Sequence, residues 1–300
     1  MAAAVVQNVP DTAFLVAMYR AKESERKDAL FVDPYAALLA GERGASMFPK
    51  MTARHRMSAW SIAVRTVIID DLVDRAVENG VDTIVNLGAG LDARPYRMAL
   101  PESLEWIEVD YAHMLEHKEK VLAEATPTCK LERVKMDLAD LHAREKLFAD
   151  VDASSKNVLV ITEGVIPYLT NEAVGLLADD LARMKNVRTW IVDYLSRQTL
   201  KYRKKVSGKA FRNAQFKFDP EDWFQFFAAH GWTPREERYL VEEGKKLGRE
   251  VPFPASMKLI VRLARLLRRK RANAGKDEVR QFAGYFAMAP ARVTSSILSK

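Results

Sequence analysis

From Asp82 to Asp193 the chain repeats one pattern: a short apolar run rich in β-branched residues, a turn, then a stretch with helical spacing. The runs Thr83–Leu87, Glu105–Val109, Lys130–Met136, Asn157–Ile161 and Arg188–Asp193 read as strands. Between them, Tyr111–Ala125, Leu141–Ala149 and Asn171–Lys185 read as helices. Strands separated by helices pair in parallel through right-handed crossovers, so this alternation predicts an α/β fold built on a doubly wound, mostly parallel sheet. It also gathers the C-terminal ends of the strands on one edge, where such sheets bind ligands. Two later runs, about Glu236–Val241 and Gln281–Met288, add an antiparallel hairpin and bring the expected sheet to seven strands.

The first 80 residues carry no strand signal. Ala13–Arg26 has apolar residues at helical spacing, and Asp33-Pro34 opens a short helix, Tyr35–Ala40, which Gly41-Glu42-Arg43-Gly44 breaks. A longer helix, about Ala53–Asn79, stops at Gly80. The expected organisation is a helical N-terminal cap over residues 1–80 and a core over 81–300, with insertions at about 195–232 and 250–280. Within the first insertion, Ser196–Ser207 reads as a loose basic segment, and Asp219-Pro220 caps a helix, Glu221–His230.

Composition excludes several classes. With 48% hydrophobic and 29% charged residues the chain can build a core. Cys129 is the single cysteine, which forbids an internal disulfide and fits a reducing compartment. His113 and His117 share an i, i+4 spacing but lack the glutamate and third ligand of a zinc helix, so no metal is expected. The N-terminal MAAAVVQNVPD has no basic leader, and no run approaches the ~20 apolar residues of a membrane span, so a cytoplasmic protein is expected. The net charge of +7 concentrates in KYRKKVSGK (201–209) and KLIVRLARLLRRKRANAGK (258–276). The second is a basic amphipathic helix, read as a cover for the core with its solvated face outward. Nucleic-acid or membrane-surface binding through it stands as an alternative.

The loop after the first strand, Gly88-Ala89-Gly90-Leu91-Asp92-Ala93, fits the dinucleotide pattern G-x-G-x-x-G/A, which keeps an NAD-dependent oxidoreductase among the alternatives. Its neighbours argue otherwise. A pyrophosphate needs free helix N–H groups and no adjacent anion. Here Asp92 lies in the loop, and Pro95 is expected to interrupt the following turn. Further acids close the next strands: Asp110 after the second, Asp137-Leu138 after the third, Glu163 after the fourth. Acids ringing a crevice repel phosphates and suit a sulfonium and an amine, which points to S-adenosylmethionine (SAM). Asp110 would take the ribose diol, Asp137 the adenine amino group with Leu138 over the ring, and Glu163 the methionine amine.

These residues carry a resemblance. NLGAGLDARPYRM, with EVD, MDL and ITEGVIPYL after it, resembles the SAM-dependent leucine carboxyl methyltransferase-like family, in particular its bacterial, polyketide-tailoring O-methyltransferases. RAKESERKDALFVDPYAALLAGERG, AVRTVIIDDLV, FKFDPEDWFQFFAAHGW and FAGYFAM extend the likeness over nearly the whole chain. The resemblance implies a Rossmann-like class I methyltransferase fold, SAM as cofactor with S-adenosylhomocysteine as product, and a small-molecule acceptor. It further implies that Arg65 pairs with the methionine carboxylate. The lysine-containing approach motif of the eukaryotic phosphatase-methylating members is not found, which disfavours a protein-tail substrate.

For the cofactor the candidate residues are therefore Arg65, Gly88, Ala89, Gly90, Asp92, Asp110, Asp137, Leu138 and Glu163. For the acceptor pocket they are Tyr168, Tyr194, Asn213 and Phe216, with Phe218 and Trp223 beside them. His142 and His230 fall in helical segments outside any catalytic motif, so no base is identified. That favours an acceptor needing none, a carboxylate or an already acidic hydroxyl.

Overall fold

The structure, a computed structural model, describes residues 9–48, 53–206, 215–252 and 282–291. A seven-stranded sheet has the order β3-β2-β1-β4-β5-β7-β6. The strands are β1 (Thr83–Leu87), β2 (Glu105–Asp110), β3 (Lys130–Lys135), β4 (Val158–Thr162), β5 (Val187–Leu195), β6 (Trp232–Tyr239) and β7 (Ala283–Pro290). β1 to β5 pair in parallel, and β7 runs antiparallel between β5 and β6.

The central strands TIVNL and VLVIT are buried at every position, as a parallel strand covered on both faces requires. The two edges are protected by charge. β3 is KLERVK with alternating exposure, and β6, WTPREERY, carries Pro234 beside a register shift. The expected strand Glu236–Val241 therefore begins earlier and ends sooner. Trp232, fully buried with its Nε1 donating to Ala178 O at 2.9 Å, anchors the start of β6, and Leu240 and Val241 open a helix.

Flanking the sheet are α1 (Val9–Ser24), α2 (Ala36–Met47), α3 (Ala53–Glu78), α4 (Arg94–Arg97), α5 (Ala112–Val121), α6 (Leu141–Ser154), α7 (Asn171–Arg183), α8 (Arg197–Val206), α9 (Trp223–Ala229) and α10 (Leu240–Lys246). One apolar layer joins Val85, Leu87, Val160 and Trp190 to α6, α7 and α9. The other joins Ile84, Trp106, Leu159 and Ile191 to Val64, Ile68, Leu72 and Val73 of α3. Asp140 caps α6, accepting from Ala143 N at 3.0 Å. Asp140→Ala is expected to lower stability by about 1 kcal/mol, read as a shifted urea midpoint with unchanged slope.

Three sequence expectations change here. α2 does not end at Gly41–Gly44: the backbone turns at Gly41 (φ 51°) and the helix resumes to Met47. Over its described part, 196–206, the segment expected to be loose is not, because Leu200 is buried and Thr199 Oγ1 donates to Phe282 O, which holds α8 in place. Pro95 does not interrupt the turn after the glycine loop. It occupies the first turn of α4, where the missing N–H costs nothing. The basic segment 258–276 and Asn213 lie outside the described residues. Among the described residues no helix is long and apolar enough to cross a membrane.

Strand order reverses at β1: β2 and β3 lie on one side, β4 and β5 on the other. Crevices of open α/β sheets form at such a reversal, beyond the C-terminal strand ends. The ends of β1 and β4, at Leu87 and Thr162, therefore frame the place to look.

Candidate active site

The loop leaving β1 is pinned from below. Gly88 and Ala89 both donate to Val109 O, and Gly90 N donates to Asp110 Oδ2 at 2.6 Å. Gly88 has φ 69°, and a Cβ there would lie 2.4 Å from Val165 Cγ2. No side chain fits that backbone conformation and that approach together. Gly90, at φ 50°, has Ala13 of α1 nearest, at an ordinary 3.4 Å from its would-be Cβ. The cap thus rests on the loop, and Arg20 of α1 fastens it, donating to Leu91 O at 2.5 Å. Asp110 accepts also from Tyr111 N at 2.7 Å. Burial pushes its carboxyl up, against the pull of these two N–H groups.

Asp92 and Glu163 face inward, and they are paired. Arg94 lies across both: its Nη1 is 2.7 Å from Asp92 Oδ2 and 2.8 Å from Glu163 Oε2, and its Nε is 2.7 Å from Asp70 Oδ1. Arg65 Nε lies 2.9 Å from Glu163 Oε1. The series continues through Arg97 on Asp70 and Asp33 to Arg20, also on Asp33. Burial would raise both carboxyls, but Arg94 together with Lys118, Arg20 and Arg97 outweighs it and holds Asp92 well below the usual range, and Arg94 with Arg65 lowers Glu163.

At these two positions the acids expected around the crevice carry arginine partners, which the sequence expectation did not include. The low-dielectric crevice admits buried carboxylates only with partners, and α3 and α4 supply them. Asp92 has a local task as well: Oδ1 accepts from Arg94 N at 3.0 Å and Oδ2 from Asn86 Nδ2 at 3.0 Å. Asp137 is exposed beyond β3, accepting from Ala139 N at 2.9 Å, with half-buried Leu138 next to it. Arg65, Gly88, Ala89, Gly90, Asp92, Asp110 and Glu163 thus converge at the β1/β2/β4 edge, and Asp137 and Leu138 extend it outward beyond β3.

Beside Glu163, a cleft is lined by Ile166, Pro167, Asp193, Leu195, Leu200, Phe218 and Trp223. It measures about 10 Å³, room for one water-sized group. Of the expected acceptor residues, Phe218 and Trp223 line it. Tyr168 and Phe216 do not, and pack edge-to-face on each other, ring centroids 5.2 Å apart. Tyr194 does not line it either: it stacks on Phe286 at 4.7 Å and meets Trp223 edge-on at 5.4 Å.

The sequence reading missed Asp193, Arg94 and Tyr285. Asp193 closes β5 just as Asp110 closes β2, so the same strand-end logic would have found it. Both its oxygens accept from Gly164 N, at 3.0 and 3.2 Å, and Tyr285 of β7 shares a hydrogen bond with it. Burial raises its carboxyl to about 6, against the nearby charge of Arg65.

This geometry has relatives. Residues 13–182 match the family model described as leucine carboxyl methyltransferase. A candidate SAM-dependent methyltransferase of Streptomyces coelicolor is 40% identical over 177 residues, spanning 55% of this chain and 62% of that protein. One from Streptomyces avermitilis is 31% identical over 259 residues, covering 81% and 89% of the two chains. A DUF574-family crystal structure, also from Streptomyces avermitilis, superposes with a TM-score of 0.53 at 14% identity, covering 93% and 96%, and so shares the fold. The chain belongs to the leucine carboxyl methyltransferase family of SAM-dependent methyltransferases.

Proposed function

We propose that this protein transfers the methyl group of SAM to an oxygen of a small molecule, a carboxylate or an acidic hydroxyl. When bound, SAM supplies a methyl carbon already activated by its sulfonium. The chain's contribution is then to bind, align and exclude water. In this reading Gly88, Ala89 and Gly90 let the ligand approach the backbone, while Asp110 accepts from the ribose hydroxyls. Asp137 and Leu138 hold the adenine. Arg65 turns its guanidinium to the methionine carboxylate, and Glu163 takes the amine.

The observation that carries this reading is the coupling of Gly90 N to Asp110 Oδ2. It joins the close-approach loop to the diol acceptor as one rigid unit. A pyrophosphate is poorly served by the same loop. The first free N–H of the short helix α4, that of Arg94, is already taken by Asp92, which would also repel it.

Titration calorimetry tests the reading. Wild type is expected to bind SAM and not NAD(H), and Asp110→Ala to bind SAM about 10–100-fold more weakly, the value of charged hydrogen bonds to two hydroxyls. Absence of SAM binding by the wild type would end it.

A further inference from the structure

The cleft beside Glu163 contains one carboxylate, Asp193, among apolar walls, and one donor without a partner. Trp223 lines the same cleft, is 7% exposed, and its Nε1 is buried and donates to nothing among the described residues. Native structures rarely leave a buried N–H unpaired without a reason. The cleft thus holds a carboxylate acceptor, with an unpartnered indole in its wall, around a space of one oxygen-sized group. Gly164, whose N–H holds Asp193, directly follows Glu163. A second carboxylate entering here would meet Asp193 at close range in an apolar surround, whereas a neutral O–H would find a partner in it.

We propose that Asp193 is the proton acceptor of the reaction, and that the methyl acceptor is a neutral hydroxyl, enol or phenol on an apolar body, its oxygen seated in this cleft. This rests on the O-methyltransferase reading above. As the acceptor oxygen forms its bond to the methyl carbon, the carbon–sulfur bond breaks and its electron pair stays on sulfur. The hydroxyl proton passes to Asp193 and from there to solvent. The titratable groups facing Asp193 are Arg65 of α3, the neutral Tyr285 hydroxyl of β7 and Glu163 at the end of β4. Arg65 and the Tyr285 hydroxyl favour the ionised form, while burial and Glu163 oppose it.

Two measurements test this. The first needs no substrate. A carboxyl raised from 3.8 to about 6 binds more protons in the folded than in the unfolded state between those values. Wild-type stability should therefore lose a contribution as pH rises through that window. Asp193→Asn, which keeps the shape and an acceptor for Gly164 N, should lack that loss, being as stable as wild type or more so above pH 6. The second uses tritiated SAM with 2-naphthol, acetylacetone and 2-naphthoate.

Wild type is expected to methylate a hydroxyl or enol probe in preference to the carboxylate, with kcat/KM rising through about pH 6. Asp193→Asn should lose about 10²–10⁴-fold of that rate at saturating SAM. Tyr285→Phe should shift the acid limb to higher pH with its plateau retained. Transfer to 2-naphthoate alone would overturn the inference and leave the O-methyltransferase reading standing. Transfer to neither oxygen class would overturn both. Unchanged turnover in Asp193→Asn, or a stability profile identical to wild type, would overturn the base assignment.

Discussion

Glu163→Gln should lower stability by about 3 kcal/mol and weaken SAM binding more than 100-fold. The amide keeps the volume but removes the charge that Arg65 and Arg94 share, at 2.9 and 2.8 Å. Arg94 is 2% exposed at its side chain and Arg65 16%, so water does little to replace it. Arg94 retains Asp92 and Asp70, and Arg65 retains Asp193, which puts the loss at the lower end of what breaking a buried pair costs. Denaturant unfolding and SAM calorimetry on one preparation separate the two effects. A variant as stable as wild type would show that the arginines have other compensation. A stable variant with intact SAM affinity would remove Glu163 from the site altogether.

The second large effect is at Gly88. In Gly88→Ala the φ of 69° costs about 1–2 kcal/mol for any residue with a Cβ. The 2.4 Å approach to Val165 Cγ2 adds about 1–3 kcal/mol unless Val165 rotates away. Gly90→Ala meets only the backbone term, because its would-be Cβ lies 3.4 Å from Ala13. The expected order is therefore Gly88→Ala well below Gly90→Ala in both melting temperature and SAM affinity. Val165→Ala should restore part of the first variant and nothing of the second. Equal losses at the two glycines would mean that backbone conformation alone accounts for both.

The parts of this fold that were legible in the sequence are those where one residue pattern has one physical solution. β1 is legible to its ends because Ile84, Val85 and Leu87 make a short apolar run closed by a glycine. The crevice was legible for the same reason, since acids at successive strand ends have no packing role. What escaped depended on distant partners. Nothing local in SRQTLKYRKKV marks Leu200 as buried against β5, and nothing near Trp232 states that Ala178 will accept its indole N–H. The charge balance escaped in the same way. Glu163 was visible as an unexplained acid, but its two arginines come from α3 and from α4, 98 and 69 positions away by residue number. Asp193 was open to the strand-end logic that marks Asp110; what no local pattern shows is its partners Gly164 and Tyr285, neighbours only once β4, β5 and β7 are laid side by side.

The joint between α1 and the glycine loop bears on how the molecule comes together in time. α1 and α2 are translated before the sheet, yet their apolar side is completed by Leu91, Tyr96, Met114 and Leu122, so their docking awaits the synthesis of those residues. Arg20 then closes onto Leu91 O, the very loop against which a ligand would lie. Occupancy of that loop and docking of the N-terminal helices become one equilibrium, each drawing the other forward.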